Sequence, residues 1–161
     1  MVKIYKHSGI YSLIAEQEVD LPIDKCWNFF SKPDNLQIIT PDYMGFNMTS
    51  PIQEDSMYAG QIISYKVAPV AGIRMNWVTE ITHVQEGRFF VDEQRFGPYR
   101  FWHHQHHFIE KGSGTVMKDI VSYKLPLGFL GRIGHSLLVK PKLLDIFEYR
   151  KKAVHQIVKQ I

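Results

Sequence analysis

A chain of 161 residues with 45% hydrophobic and 22% charged residues is long enough to bury a core without disulfides or a structural metal, and its composition excludes a disordered or low-complexity protein. A net charge of +3, from 19 Lys and Arg against 16 Asp and Glu, is too small and too dispersed to point to nucleic acid or a membrane surface. The lone Cys26 excludes an intramolecular disulfide and any multi-thiolate metal site.

Lys3, Lys6 and His7 leave no early apolar run of the kind a signal peptide carries, and no stretch approaches the roughly 18 apolar residues of a membrane span. With a single thiol this predicts a cytoplasmic protein, and no linker or repeat divides the expected domain over 1–161. Ile10 to Val19, β-branched and apolar, predicts the first strand, closed by Leu21-Pro22. Ile23, Cys26, Trp27 and Phe30 then fall at helical spacing, with Asp24 in the first turn and Lys32-Pro33 as the stop. The aromatic neighbours of Cys26 predict a buried, inert thiol. Pro33 opens a second short helix through Leu36, before Thr40-Pro41.

A run of strands follows: Phe46 to Ser50, Gln61 to Ala68, Arg74 to Val84, Arg88 to Phe96, Arg100 to Glu110 and Thr115 to Leu125. Gly60, Ala71-Gly72, Glu86-Gly87, Gly97-Pro98 and Gly112-Ser113-Gly114 supply the turns between them. Short turns between successive strands make the sheet an antiparallel meander. Tyr99, after Gly97-Pro98, either anchors its hairpin or closes a pocket mouth. Gly128, Gly131 and Gly134 lack the context of a phosphate loop and mark a strand-to-helix connector, plugged by Phe129 and Leu130, or a mobile entrance. Over the last thirty residues the period changes to helical, with Leu143, Phe147, Val154, Ile157, Val158 and Ile161 on one stripe and Lys151, Lys152 and Lys159 off it. Pro141 kinks this helix or begins it after a looser segment from Leu130 to Lys140. The run Arg150-Lys151-Lys152 reads as a solvated helix face.

These elements define an α+β fold: a seven-stranded curved antiparallel sheet around a long C-terminal helix, with two short helices between strands 1 and 2. Such a sheet encloses more space than one helix fills, and the aromatic share of 13% suits the lining of a cavity. The element order and five motifs resemble the START-like, or SRPBCC, superfamily of helix-grip proteins, and more narrowly a bacterial ligand-binding, polyketide cyclase/dehydrase-like group. The motifs are Trp77-Val78-Thr79-Glu80-Ile81, Phe90-Val91-Asp92, Gly97-Pro98-Tyr99, Trp102-His103-His104-Gln105-His106-His107-Phe108 and Asp119 through Tyr123 to Leu125-Pro126. The resemblance spans the whole chain and implies fold more than function, because that superfamily includes carriers, receptors, cyclases and hydrolases.

Four of the eight histidines lie within five positions. Alternation along a strand puts Trp102, His104, His106 and Phe108 on one face and Phe101, His103, Gln105 and His107 on the other. Neighbouring charged residues identify the inner face, so the expected ligand-binding set is Trp77, Phe90, Asp92, Gln94, Trp102, His104, His106, Phe108, Met117, Asp119 and Tyr123. Two carboxylates and two imidazoles in an aromatic enclosure must pair or cost several kcal/mol. Three readings follow. The network is structural; or it is the polar floor of a site for a small hydrophobic or aromatic molecule, carried or sensed; or His104 or His106, tuned by Asp92 or Asp119, is the general acid/base of a cyclase, dehydratase or hydrolase. Binding without a cofactor or metal is the reading adopted. A His-x-His zinc site completed by Asp92 or Asp119 is the weaker thought, because no helical His-Glu-x-x-His occurs. No nucleic acid or stably inserted membrane partner is expected.

Overall fold

The computed structural model describes residues 2–51, 56–68, 72–126 and 128–160, without the side chains of 129, 130 and 132. Its strands are β1 (Val2–His7), β2 (Ile10–Val19), β3 (Asn47–Met48), β4 (Ile62–Val67), β5 (Met75–Gln85), β6 (Phe89–Phe96), β7 (Phe101–Lys111) and β8 (Gly114–Lys124). All eight form one sheet in the order β1-β2-β8-β7-β6-β5-β4-β3, every neighbouring pair antiparallel. The expected meander thus runs from β3 to β8, and β2 closes against β8 because its apolar residues Leu13 and Ala15 complete the same buried face.

Among the described residues there are eight strands where seven were expected. β1 is an edge strand in which only Val2 and Ile4 are partly buried, so its sequence carries almost no apolar alternation. Its pairing comes from the turn: Ser8 and Gly9 both adopt positive φ, 47° and 78°, the backbone of a type I′ hairpin that matches the strand twist.

The helix α1 (Ile23–Phe30) buries Cys26, Trp27 and Phe30, and Trp27 packs edge-on against Phe90 and Phe108 with centroids 6.1 and 5.6 Å away. Burial pushes the Cys26 thiol up to about 11, against a smaller opposing effect of the adjacent Thr115 side chain, which makes it a poor nucleophile. Pro33–Leu36 forms the expected second turn of helix, as a 3-10 turn, and a further one spans Asp42–Met44.

At the other end the chain is helical from Gly128. The helix α2 (Gly128–Gly134) passes through a π-helical turn at His135–Val139 into α3 (Lys140–Val158). The segment expected to be looser is therefore helical, and the wide turn lies just ahead of Pro141, which cannot donate the backbone hydrogen bond that would continue a regular helix. Gly131 serves as a connector: a Cβ there would stand 2.1 Å from the Pro126 carbonyl oxygen, so only glycine lets the helix start so close to the end of β8. The proposed plug residues Phe129 and Leu130 lie outside the described side chains.

The α3 stripe of Leu143, Phe147, Ala153, Val154 and Ile157 is buried in the concave face of the sheet; each fully buried large side chain contributes about 1.5–3 kcal/mol. Leu143 and Phe147 join a cluster with Trp77, Val121 and Tyr123, whereas Val154 and Ile157 join one with Trp27, Phe90 and Phe108. The β5–β6 register shifts twice, between Val78 and Thr79 and between Ile81 and His83, and such irregularities bend and twist a strand pair.

Candidate functional site

Between the two clusters lies a cavity of about 160 Å³. Its sheet side is built from alternate residues of adjacent strands: Ile63 and Tyr65 from β4, Trp77 and Thr79 from β5, Phe90 and Asp92 from β6. From β7 come Trp102, His104 and His106; from α3, Leu143, Phe147 and Arg150. Met44 and Phe46 close another side. Tyr43, just before them, donates a hydrogen bond to Asp145 of α3 while Lys142 lies over its ring at 3.4 Å, tying that turn to the helix.

The walls are ring-rich. Trp77 and Trp102 meet at a right angle with centroids 5.3 Å apart, and Tyr99 lies 4.8 Å from Trp102. One polar spot interrupts them: the Trp77 indole N–H donates to Thr79 Oγ1 at 3.1 Å, and Tyr65 and Thr79 hydroxyls are 3.2 Å apart. Burial, with the negative charge of Asp92 adding to it, raises the Tyr65 phenol above its ordinary range, so it is a neutral hydroxyl.

At the floor, register explains the pairing. Asp92 is directly opposite His104 and Asp119 directly opposite His106. Because His104 and His106 are two apart on one strand, each carboxylate also reaches the diagonal ring. His106 Nε2 donates to Asp92 Oδ2 at 2.7 Å and His104 Nε2 to Asp119 Oδ1 at 3.1 Å. The remaining ring nitrogens are also near carboxylates, His104 Nδ1 at 3.3 Å from Asp92 and His106 Nδ1 at 3.1 Å from Asp119. The two rings lie 3.7 Å apart, and His106 stacks on Phe90 at 4.1 Å.

Burial opposes every charge here, yet the charges support one another. Burial alone would raise Asp92, but the adjoining His104 and His106 hold it well below the usual carboxylate range. Asp119 is held low against the same burial by the Arg150 guanidinium and the two imidazoles. Burial works to lower His104, and the two aspartates outweigh it, so its pKa is raised. Both ring nitrogens of His104 thus face carboxylates, the partners that raise its pKa, and Arg150 Nη2 lies 3.4 Å from His106 Nδ1. The Arg150 guanidinium and the two imidazoles therefore stand opposite the two carboxylates, the pairing that buried charge requires.

Of the residues singled out in the sequence, Trp77, Phe90, Asp92, Trp102, His104 and His106 face the cavity together. Asp119 lies behind the imidazoles and holds them. Besides Asp119, four others stand away from the cavity lining. Gln94 turns to its own hairpin, donating from Nε2 to the Tyr99 carbonyl at 2.6 Å and accepting the Tyr99 N–H at 3.1 Å. Phe108 and Met117 belong to the packed cluster under α1. Tyr123 lies in the other cluster, its hydroxyl 2.8 Å from His135 Nε2. All four point to the concave side, as alternation requires, but other side chains fill the space before it becomes cavity. Tyr99 is anchored in its hairpin by Gln94, and its ring is part of the cavity lining.

Arg150 corrects the reading of the basic run. Lys151 and Lys152 are exposed, whereas the Arg150 side chain is only 14% exposed and approaches Asp119 Oδ1 to 3.6 Å. Its position three residues after the buried Phe147 was the available signal. The outer histidines form a separate chain along the convex face: His103 Nδ1 to Glu93 at 2.8 Å, His103 to Gln105 at 3.2 Å, and His107 to Gln105 at 2.9 Å.

No family model and no curated protein matches this chain. Its architecture is nevertheless shared with solved structures of low sequence identity. Protein Ms6760 from Mycobacterium smegmatis is 15% identical, with 99% of this chain and 97% of that one covered and a TM-score of 0.67. A protein from Rhodobacter sphaeroides is 12% identical over 100% of both chains, with a TM-score of 0.69. A major latex-like protein from Panax ginseng is 13% identical, covering 92% and 97%, with a TM-score of 0.64. These likenesses establish the fold, a curved antiparallel sheet closed on a long C-terminal helix, as in helix-grip proteins. Among the described residues no helix is long and apolar enough to cross a membrane.

Proposed function

We propose that the protein binds a small hydrophobic or aromatic molecule, for carriage or sensing, in the cavity between the sheet and α3, as a member of the bacterial ligand-binding SRPBCC group its motifs resemble. The observation that carries this reading is the cavity itself, a space of about 160 Å³ walled by indole and phenol rings above a polar floor. An apolar cavity of about 150 Å³ admits a single benzene-sized ring, so the ligand is of that size or enters partly. Trp77, Phe90 and Trp102 hold its body, while Thr79, Tyr65 and the His104–Asp92 edge orient a polar substituent.

A panel of single-ring phenols, benzoates and alkylbenzenes tests this. At a concentration 100 times its Kd, a true ligand stabilises the protein by about 2.7 kcal/mol, a clear rise in melting temperature, and Trp102→Ala should weaken it. No shift with any member of such a panel would end the proposal.

The paired imidazoles and carboxylates at the floor support one second reading, a His–Asp general acid/base acting on an enolisable carbonyl. Under it, the protein accelerates α-proton exchange of a bound ketone in deuterated water, and His104→Ala abolishes that exchange while ligand-induced stabilisation survives. Stabilisation without exchange leaves the binding reading alone.

A further inference from the structure

The four ring nitrogens at the floor sort into two sets. His104 Nδ1 and His106 Nε2 both face Asp92 Oδ2, at 3.3 and 2.7 Å. His104 Nε2 and His106 Nδ1 both face Asp119 Oδ1, each at 3.1 Å. One carboxylate converges with one nitrogen of each ring, and the other carboxylate receives the remainder.

We propose that Asp92, His104 and His106 form a binding site for a divalent first-row transition-metal ion, with Asp119 as the outer carboxylate that orients both rings. The three residues each offer a donor atom, all within 4.8 Å of one another. Donors bonded at about 2.0–2.1 Å to a tetrahedral or octahedral ion stand roughly 2.9–3.4 Å apart, close to the Asp92-to-nitrogen distances of the protein. Two imidazoles and one carboxylate are a donor set that suits zinc or iron(II) and leaves coordination positions open, and all three residues line the cavity. Metal-bound histidines commonly donate their other N–H to a carboxylate, the place Asp119 occupies for both rings.

The arrangement sits on the middle of adjacent strands, where backbone pairing holds the donors. Binding requires the ring nitrogens that face Asp92, His104 Nδ1 and His106 Nε2, to be free of protons, while the nitrogens that face Asp119 carry them. Arg150, 3.6 Å from Asp119 and 3.4 Å from His106 Nδ1, then pairs with Asp119 alone. An ion of charge two beside two carboxylates and one guanidinium leaves one positive charge over, which a hydroxide or an anionic ligand group on the cavity side neutralises. The site does not depend on the cavity's organic ligand, so it stands or falls separately from the binding proposal.

Titration of the full chain, stripped with a chelator, with zinc chloride alone is the test, read by calorimetry. One equivalent should bind, Asp92→Asn should abolish that binding, and Asp119→Asn, which keeps all three donors, should weaken it about 10- to 100-fold. The paired variant His103→Ala with His107→Ala should bind as the parent does. Failure of the parent to bind, binding that survives Asp92→Asn, or loss in the outer-face variant would each overturn the site. A measurement on the unaltered protein guards against variants that do not fold: zinc should shift the ring resonances of His104 and His106 and leave those of His103 and His107, and the reverse pattern refutes the assignment.

Discussion

His104 and His135 are buried to nearly the same degree, 6% and 3% exposed, and have opposite electrostatics. His104 stands between two carboxylates, and its pKa is raised against its own burial. His135, in the π-helical turn, has the Tyr123 hydroxyl 2.8 Å from Nε2 and the Tyr11 ring stacked on it at 3.6 Å. Among the described residues no carboxylate offsets its burial, which lowers its pKa, with Lys140 and Lys6 adding to the effect. The direction in which burial and partners together move a buried histidine's pKa in this protein therefore follows whether an anion or a hydroxyl faces it. The same contrast separates the roles: the first region is a polar floor beside a cavity, and the second is a pin joining helix to sheet.

The sharpest way to break this comparison is to remove the anion. Asp119→Ala strips a partner from both imidazoles and from Arg150, and leaving buried charge uncompensated should cost about 3–5 kcal/mol in urea unfolding. A cost under 1 kcal/mol would mean that the cluster is not charged. At the pin, Tyr123→Phe deletes only the hydroxyl that satisfies His135 Nε2, and about 1–3 kcal/mol is expected.

The pH dependence carries opposite signs. A histidine whose folded pKa is lowered destabilises the fold as pH falls below its unfolded value of about 6.5, because the unfolded chain takes the proton first. His135→Phe should therefore flatten the acid-side decline in melting temperature, by up to about 1.4 kcal/mol per pH unit, and an unchanged slope would contradict the lowered pKa. His104, with its pKa raised, contributes stability that is full below about pH 6.5 and is lost as pH rises through its folded value. The aspartates act at the far acid end: their contribution is present above about pH 3.9 and is lost as pH falls through their depressed folded values. Smallest of all is the outer-face counterpart. His103 with Glu93 repeats the pairing in contact with water, and Glu93→Gln should change stability by only about 0.2–1 kcal/mol.

Much of this was legible in sequence. The strands β4 to β8 declare themselves by turn residues at regular intervals, and α1 by four apolar positions at helical spacing. Alternation along Trp102 to Phe108 divides the histidines into inner and outer pairs, because a strand leaves each side chain only two directions. β1 was not legible, since an edge strand with one face in water needs little apolar patterning and relies on its hairpin for register. Gln94, Phe108, Met117 and Tyr123 share the concave side with the cavity residues, and nothing in their spacing tells filled space from open space. Arg150 hides in a basic run whose next two members are ordinary solvent-facing lysines.

What the order of residues determines alone is periodicity and punctuation: which segments are strands, which side of each strand turns inward, and that two carboxylates and two imidazoles must share one interior. Where along that interior a cavity opens, which carboxylate faces it and which stands behind, and that a guanidinium from the last helix completes the charge balance, are decided only by tertiary structure. The physical reason is that these depend on strand register and on how a distant helix packs across the sheet, and both are settled by contacts between residues far apart in the chain.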